Sequence, residues 1–278
     1  MIFYLPIVYT IKTRYSSFFK RIVYFLTYIL PEFLLLFFEC YENFTIYRII
    51  VIFALSMLSY INVYELGYIY NDTETIKKEK SPTLRLSEKQ LMHYEKRKIF
   101  IYSVRFLQVF FLNFALVFFI SQKSLVVFSL VELFTLTVYW IYNHVRGNTA
   151  MFFYFFLISA RYVSVNLCSI ENFTISVFLA ALFVFPIIRT MEYKAHYGEN
   201  SKVNLLFRKY IIKYDINKIP VFRLYATAVL LAISFALSFV RICTWIPLVM
   251  CSYMFIYRFS LWLAVKLGAR FNGYLKKE

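Results

Sequence analysis

The sequence predicts an all-α membrane protein: a polytopic bundle of eight transmembrane helices in one domain over residues 1–278. Composition is the first observation, because 61% of the residues are hydrophobic and 22% are aromatic, whereas a soluble domain is closer to half apolar. The second is a series of apolar runs of about 18 residues or more, the length that crosses the hydrocarbon layer as a helix. The third is that most basic residues lie in a few segments between those runs.

Eight apolar runs are separated by charged or turn-forming breaks, and each is long enough to cross a bilayer. The first run is longer than the apolar core of a signal peptide, so no cleavable signal peptide is predicted. The short breaks "SQKS", "SIENF" and "RICT" are typical of tight turns, which leaves two long polar segments, 71–98 and 189–220, for the other side. The predicted spans are 20–38, 47–69, 99–120, 124–143, 150–168, 173–189, 221–240 and 243–264.

The net charge of +16 is explained by membrane topology. Of the 31 basic residues, 25 lie in the two termini, in the segments 71–98 and 189–223, and in the short loop around Arg146. Positive charge stays on the cytoplasmic side, so both termini and both long loops are expected in the cytoplasm. The expected location of the protein is a bacterial inner membrane. The basic loops are expected to contact the lipid bilayer, and no nucleic-acid partner is predicted.

Cysteine and histidine spacing predicts neither a disulfide nor a transition-metal site. The four cysteines, Cys40, Cys168, Cys243 and Cys251, form no CxxC pattern, and the three histidines are scattered. They are better explained as small residues within helices.

A first cluster of acidic and basic residues follows the second span. If its helix continued to residue 79, Asp72 and Glu79 would lie within about 20° of each other, beside Asn71. Two carboxylates and a carboxamide suit Mg²⁺, and the neighbouring Lys78 and Arg85 could neutralise phosphate oxygens. The alternative is an ordinary salt-bridged helix end, with Glu74–Lys78 as an example.

A second cluster closes the sixth span, in "IIRTMEYKAHYGENSK". Arg189, Glu192, Lys194 and His196 again mix acid and base at a helix end, for which a solvated helix end is the simple interpretation. Because four spans separate the clusters, two similar halves of a bundle would bring them face to face. Together they suggest a clamp for pyrophosphate.

The first cluster resembles the first Asp-rich motif of the UbiA superfamily of intramembrane transferases. The usual form is NDxxDxxxD, and this chain has "NDTETIKKE". Asn71 and Asp72 match the opening pair, Glu79 replaces the last Asp, and Thr75 stands where the middle Asp is expected. The N-terminal RPxQW-type motif is missing, and the superfamily commonly has nine spans.

Within that superfamily the chain most resembles the decaprenyl-phosphate phosphoribosyltransferases. Their second motif is a basic residue followed by Glu, which "IRTME" matches through Arg189 and Glu192. In the middle of the chain they have a Tyr, then a basic residue, and then an Arg after an apolar stretch. This pattern is similar to Tyr142, Arg146 and Arg161. The sequence near the end, "IPLVMCSYMFIYRF", looks like their closing helix with its Arg-aromatic pair, Arg258 and Phe259.

The resemblance implies transfer of a 5-phosphoribosyl group from phosphoribosyl pyrophosphate to a polyprenyl phosphate, for cell-envelope polysaccharide synthesis. It implies Mg²⁺ as cofactor, with Asp72, Glu79 and Glu192 as catalytic residues. The metal ligands would be Asn71, Asp72, Glu79 and Glu192. The substrate-binding residues would be Lys78, Arg85, Arg146, Arg161, Arg189 and Lys194.

The sequence leaves alternatives for the function and for Arg161, and it leaves Glu32 unassigned. One alternative is a Mg²⁺-dependent prenyltransferase that uses a polyprenyl diphosphate, and another is a membrane transporter or scaffold without catalysis. Within the spans, Arg161 could either bind the acceptor phosphate or form an ion pair with Glu132. Glu32 matches no motif and has no assigned role.

Overall fold

A computed structural model describes residues 2–78, 83–145, 147–197 and 218–267 of the chain, and every element in these ranges is helical. A π-helical turn, Phe25–Ile29, joins the second and third helices, and short 3₁₀ turns follow the fourth and seventh. The α-helices are α1 (Val8–Thr13), α2 (Phe18–Tyr24), α3 (Leu30–Cys40), α4 (Ile46–Thr73), α5 (Glu88–Leu116), α6 (Gln122–His144), α7 (Gly147–Val163), α8 (Ile175–Val184), α9 (Pro186–Tyr197), α10 (Lys218–Phe239) and α11 (Ile246–Lys266).

Seven helical segments in the described part of the chain are long and apolar enough to cross a membrane. They confirm the prediction of a polytopic helical membrane protein and match seven of the eight predicted spans. The remaining span, 150–168, is instead the shorter α7 followed by a 3₁₀ turn at Val165–Ser169. The seven segments are Phe18–Cys40, Ile46–Lys77, Glu88–Leu116, Gln122–His144, Ile175–Tyr193, Ile219–Phe239 and Ile246–Ala264.

Four tight connections meet at one end of the bundle, which we call the short-turn end (residues 40–46, 116–122, 169–175 and 239–246). The Asn43 amide donates to Asn172 at 2.9 Å, and the Arg48 guanidinium donates to the Phe119 carbonyl at 2.7 Å. The opposite end carries the charged residues of both predicted motifs and is called the motif end. The short breaks thus lie together, as their length predicted.

The segment 71–98 contains more helix than the sequence suggested. α5 begins at Glu88, well before the predicted start of its span at 99. Ser87 caps it by accepting from the Gln90 backbone, while the Gln90 side chain accepts from the Ser87 backbone N–H. The helix kinks at Arg97, where φ is −130° and ψ is 21°. The capped first turns of α5 therefore extend beyond the apolar span and present charge at the motif end.

The first span bends where its hydrogen-bond register changes. The Leu30 N–H bonds to the Phe25 carbonyl five residues back, and Pro31 has no N–H to donate. Two carbonyls are thereby released toward neighbouring helices: Tyr253 donates to Leu26 at 2.7 Å, and Tyr162 donates to Thr27 at 2.5 Å. These bonds tie the bend to α11 and α7, which places the tyrosines of this span in the interior.

The sixth span is also broken. α8 ends at Val184, Phe185 departs from helical geometry with φ −147°, and Pro186 begins α9. The Arg258 guanidinium from α11 donates to the Val184 carbonyl at 3.1 Å and also bonds the Thr227 hydroxyl. Arg258, which the family resemblance singled out, is thus placed to satisfy backbone at the break.

Candidate functional site

The first motif does not continue as one helix. α4 ends at Thr73, and a 3₁₀ turn covers Thr75–Lys78, so the predicted helix through residue 79 is wrong. Asparagine, aspartate and threonine are weak helix formers, and tertiary contacts hold the side chains here. Glu74 bonds to Lys98 and Tyr94 of α5 and to Lys77. Glu74 is thus bonded both within its own turn, to Lys77, and to Lys98 and Tyr94 of α5.

Asp72 is the centre of a buried cluster. It is 2% exposed, and Arg14 binds it through two bonds of 2.8 and 2.9 Å. The Tyr9 hydroxyl donates to it at 2.8 Å, and Arg85 and Asn71 each donate at 3.4 Å. Burial, and next the Asp72 charge, raise the pKa of Tyr9, so this hydroxyl stays a donor. The carboxylate orients two guanidinium groups at the motif end.

The N-terminal segment reaches Asp72 because a buried ion pair anchors it. Arg105 and Glu65 are both fully buried and pair at 2.7 Å. Arg105 also donates to the carbonyls of Phe3 at 2.7 Å and Leu5 at 3.1 Å, while Glu65 accepts the Thr10 N–H at 2.6 Å. Within a membrane protein, irregular backbone is tolerated only where other protein groups form its hydrogen bonds. The Arg105–Glu65 pair supplies such hydrogen-bond partners for the turns that precede α1.

Backbone strain marks the same segment. Ile7 has φ 66°, a left-handed conformation that β-branched residues rarely adopt. The Tyr4 carbonyl accepts from Gln108 at 2.7 Å, and the Tyr4 hydroxyl bonds to His93 at 2.9 Å. Such strain of about 1–3 kcal/mol persists only where surrounding contacts determine the conformation. Ile7 directly precedes α1, from which Tyr9 reaches Asp72, and Arg14 follows the last residue of that helix.

The second motif is centred on Glu192 of α9, which is 3% exposed. Arg189 donates to it at 2.8 Å, and Arg223 of α10 donates at 2.5 and 2.9 Å. Arg189 also interacts with the Tyr154 hydroxyl, and the Tyr154 ring stacks on Tyr193 with centres 4.3 Å apart. As at Asp72, one buried carboxylate orients two guanidinium groups.

Arg161 of α7 lies inside a cage of tyrosine rings. Its guanidinium carbon is 4.0 Å from the ring centre of Tyr28, 4.9 Å from Tyr64 and 5.4 Å from Tyr24. These distances are within the range of attractive cation–π contacts. Within the described ranges, Arg161 forms no ion pair with a carboxylate. The cation is held by rings and keeps its capacity to bind an anion.

The ion pair of Arg161 with Glu132 is not formed. Glu132 instead accepts from Ser59 at 2.7 Å and from Asn113 at 2.6 Å. Of the two alternatives from the sequence, the structure therefore rejects the mutual ion pair. Glu32 lies in the interior and is contacted weakly by Asn166, at 3.5 Å.

Tyrosine rings connect Arg161 with the cluster at Asp72. The Arg14 guanidinium lies 4.4 Å from the ring centre of Tyr68. Tyr68 packs edge-on against Tyr64 with ring centres 5.2 Å apart, and Tyr64 forms one wall of the cage. Two arginines from distant parts of the chain thus border one aromatic cluster.

Tyr15, between α1 and α2, connects this cluster with the second motif. Burial raises the pKa of Tyr15 to about 12, and the nearby charges of Arg161 and Arg189 oppose that rise because they stabilise the phenolate. The Tyr15 ring lies 4.3 Å from that of Tyr24. Tyr15 therefore lies near Arg161 of the tyrosine cage and near Arg189 of the second motif.

Several predicted site residues lie outside the described part of the chain. Glu79 and Arg146 are outside it altogether, and the side chains of Lys78 and Lys194 are not described. Two important residues were missed by sequence reasoning: Arg14 counted only as an N-terminal basic residue, and Arg223 only as loop charge. Their positions, 58 and 31 residues from their carboxylates, carry no local signal.

The described residues do not fit a magnesium site in this arrangement. Both oxygens of Asp72 and both of Glu192 already accept bonds from arginine. Within the described ranges, no group of three or more His, Cys, Asp or Glu side chains is placed to hold a metal. The Mg²⁺ prediction therefore depends on Glu79, which lies outside the described part of the chain.

The fold and this site define a class: a polytopic helical membrane protein with an arginine- and tyrosine-rich site at one end of its bundle. Comparison of the chain with protein-family models, with curated proteins and with solved structures gives no match. The resemblance to the UbiA superfamily stays a prediction that rests on the motif residues.

Proposed function

We propose that this protein transfers a 5-phosphoribosyl group from phosphoribosyl pyrophosphate to a polyprenyl phosphate and releases pyrophosphate. The observation that carries the proposal is Arg161, a caged cation without a carboxylate partner among the described residues. A cation at this depth in the bundle needs a compensating group, and charged residues inside membranes commonly mark substrate sites. A lipid phosphate supplies the anion and, through its tail, reaches that depth from the bilayer.

Positive charge exceeds negative charge around the site. The two carboxylates, Asp72 and Glu192, are outnumbered by guanidinium groups at the motif end. The guanidinium groups are those of Arg14, Arg85, Arg161, Arg189 and Arg223. Planar guanidinium groups bind phosphate oxygens in pairs, so the surplus suits a donor with several phosphates.

The reaction needs charge stabilisation more than proton transfer. The bond from C1 of ribose to pyrophosphate breaks, and pyrophosphate leaves with the electron pair. A phosphate oxygen of the acceptor then bonds to C1, and because that oxygen is already anionic, no strong general base is needed. Arginines that Asp72 and Glu192 hold in place stabilise the charge that develops on the leaving group. The tyrosine rings exclude water and strengthen those interactions.

The proposal places the motif end in the cytoplasm, where phosphoribosyl pyrophosphate is made. The concentration of basic residues in the termini and the two long segments supports that orientation. The membrane would be a bacterial inner membrane, and the product would enter cell-envelope polysaccharide synthesis.

The direct test is a transfer assay with purified protein. Phosphoribosyl pyrophosphate labelled in the ribose and a polyprenyl phosphate are expected to give a labelled lipid and free pyrophosphate in equal amounts. Release of pyrophosphate without a labelled lipid would show that the protein only hydrolyses the donor. If neither the labelled lipid nor pyrophosphate formed, the proposal would be contradicted.

A prenyltransferase is the second candidate, and the tyrosine cage is the observation that favours it. Aromatic faces stabilise carbocations as well as guanidinium groups, so Tyr28 and Tyr64 suit an allylic cation. A polyprenyl diphosphate and an aromatic acceptor in the same assay decide between the two. Prenylated acceptor without labelled ribosyl lipid would support this candidate.

Chelation tests the magnesium prediction separately. EDTA is expected to abolish transfer and excess Mg²⁺ to restore it. Glu79→Gln is expected to lower the apparent Mg²⁺ affinity at least about 10-fold, since even outer-shell changes reach that size. Glu88→Gln, at an exposed carboxylate, is the control. Full activity in EDTA would contradict the magnesium prediction and would show that the arginines suffice without a metal.

A further inference from the structure

Glu32 of α3 is a buried carboxyl group that no step of the proposed reaction uses. It is 0% exposed, and its Oε1 oxygen has no hydrogen-bond partner among the described residues. Its Oε2 oxygen accepts a long contact of 3.5 Å from the Asn166 amide. An ionised carboxylate that is buried without partners is strongly unfavourable, so such groups are normally paired or bind a cation. The Glu32 carboxylate therefore requires a source of positive charge.

Asn166 adds a second buried acceptor beside Glu32. It belongs to the 3₁₀ turn Val165–Ser169 and is fully buried, and its Oδ1 oxygen has no hydrogen-bond partner among the described residues. The same carboxamide contacts Glu32 through its nitrogen, so its oxygen lies close to the carboxylate. A carboxylate oxygen and a carboxamide oxygen, both without donors, are the kind of ligand that hard cations prefer.

The break after α7 makes the same position favourable for positive charge. α7 ends at Val163, and Ser164 separates it from the buried 3₁₀ turn that carries Asn166. The C-terminal end of a helix carries roughly half a negative elementary charge, which favours a cation. Interrupted helices of membrane transporters bind Na⁺ at ends of this kind. The field at the end of α7 thus agrees with the two acceptor oxygens.

Arg161 does not supply the missing charge. Its guanidinium carbon lies 4.0 Å from the ring centre of Tyr28 and it forms no ion pair with Glu32, although its charge acts on that carboxylate. Glu39 lies on the same face of α3, two helical turns later, and adds a second negative charge that acts on Glu32. Both oxygens of Glu39 also lack a hydrogen-bond partner among the described residues. A bound cation would offset these carboxylates and leave Arg161 free for an anion.

We propose that Glu32 and Asn166 bind a monovalent cation, Na⁺ or K⁺, between α3 and the 3₁₀ turn. A divalent ion is disfavoured because, in the described ranges, no group of three or more His, Cys, Asp or Glu side chains is placed for one. A monovalent ion needs one carboxylate for charge balance and takes its other ligands from neutral oxygens. The ion joins the first span to the turn that follows α7, at a site distinct from Asp72 and Glu192. Binding of the ion requires no substrate, so it can be measured apart from transfer.

The experiment measures thermal unfolding of the purified protein in detergent at constant ionic strength, with NaCl or KCl exchanged for choline chloride. Na⁺ or K⁺ is expected to raise the thermal midpoint saturably relative to choline, by about 3 °C at a concentration ten times the dissociation constant. Equilibrium binding of radioactive Na⁺, or of Rb⁺ as an analogue of K⁺, is expected to show a single ion per chain.

Glu32→Gln is expected to abolish the saturable rise, because it keeps the size of the side chain and removes its charge. Asn166→Leu is expected to weaken ion binding at least about 10-fold, the size of one charge-assisted contact. Glu42→Gln is the matched control, because Glu42 is an exposed carboxylate at the short-turn end. Its ion dependence is expected to match that of the wild type.

Two outcomes would overturn the proposal. An equal effect of Na⁺, K⁺ and choline on the wild-type protein would show that the Glu32 carboxyl holds a proton and not a metal ion, and this measurement needs no variant to fold. Saturable ion binding that persists unchanged in folded Glu32→Gln and Asn166→Leu would show that the ion binds elsewhere. The transfer assay on the wild-type protein tests the proposed reaction separately from either result.

Discussion

Arg161→Met is expected to weaken binding of polyprenyl phosphate roughly 10- to 100-fold, with a smaller loss of stability than Arg105→Met. Charged hydrogen bonds contribute about 1.5–3 kcal/mol, and a tenfold change corresponds to about 1.4 kcal/mol. Arg161 forms no ion pair with a carboxylate in the described structure, and its removal takes away the ring contacts with Tyr28, Tyr64 and Tyr24. Binding of labelled lipid and the thermal midpoint in detergent measure the two effects.

Arg97→Met is the matched control for this variant. Arg97 is an exposed arginine near the start of α5, where its loss is expected to change neither lipid binding nor stability. Arg161→Lys is expected to retain part of the affinity, because ammonium keeps the charge but not the planar pair of donors. Unchanged lipid binding in Arg161→Met, or a large loss of stability, would show that Arg161 is structural and contradict its role as a phosphate ligand.

Arg105→Met is expected to show the opposite pattern, with a loss of about 3–5 kcal/mol in the free energy of unfolding. The substitution leaves Glu65 charged and unpaired in a fully buried position, and it frees the carbonyls of Phe3 and Leu5. Because the same segment delivers Arg14 to Asp72, activity is expected to fall as well. Chemical or thermal unfolding in detergent measures the change in the free energy of unfolding.

A double variant separates the ion pair from the other contacts of Arg105. Adding Glu65→Gln to Arg105→Met is expected to recover part of the lost stability, because no buried charge then lacks a partner. The recovery is expected to be incomplete, since Phe3 and Leu5 still lose their donor. Additive losses from the two single changes would contradict energetic coupling of Glu65 with Arg105.

Arg105 and Arg161 illustrate what the sequence of a membrane span does and does not show. Both interrupt apolar segments, and each is expensive to bury without a partner. Nothing within a few residues of Arg105 indicates that it pairs with Glu65, 40 residues away, or with carbonyls about 100 residues away. Nothing around Arg161 in the sequence indicates that tyrosines from other helices surround it.

The motif residues were predictable in kind but not in arrangement. Asp72 and Glu192 stand out because acids at the ends of apolar helices are not required by topology. Their observed partners, Arg14 and Arg223, come from other segments of the chain and were counted only as N-terminal and loop charge. The end of α4 at Thr73 was also missed, because contacts of Glu74 with α5 decide it.

The sequence by itself determined that this is a polytopic helical membrane protein, and it indicated where most spans begin and end. Apolar run length and basic-residue distribution are local properties, and the bilayer acts on them directly. Only the tertiary structure decided that both acidic residues orient arginines, that tyrosines enclose Arg161, and that Asn166 contacts Glu32. Those features depend on packing between segments far apart in the chain, which hydrophobic pattern leaves unspecified because many helix arrangements bury the same apolar faces.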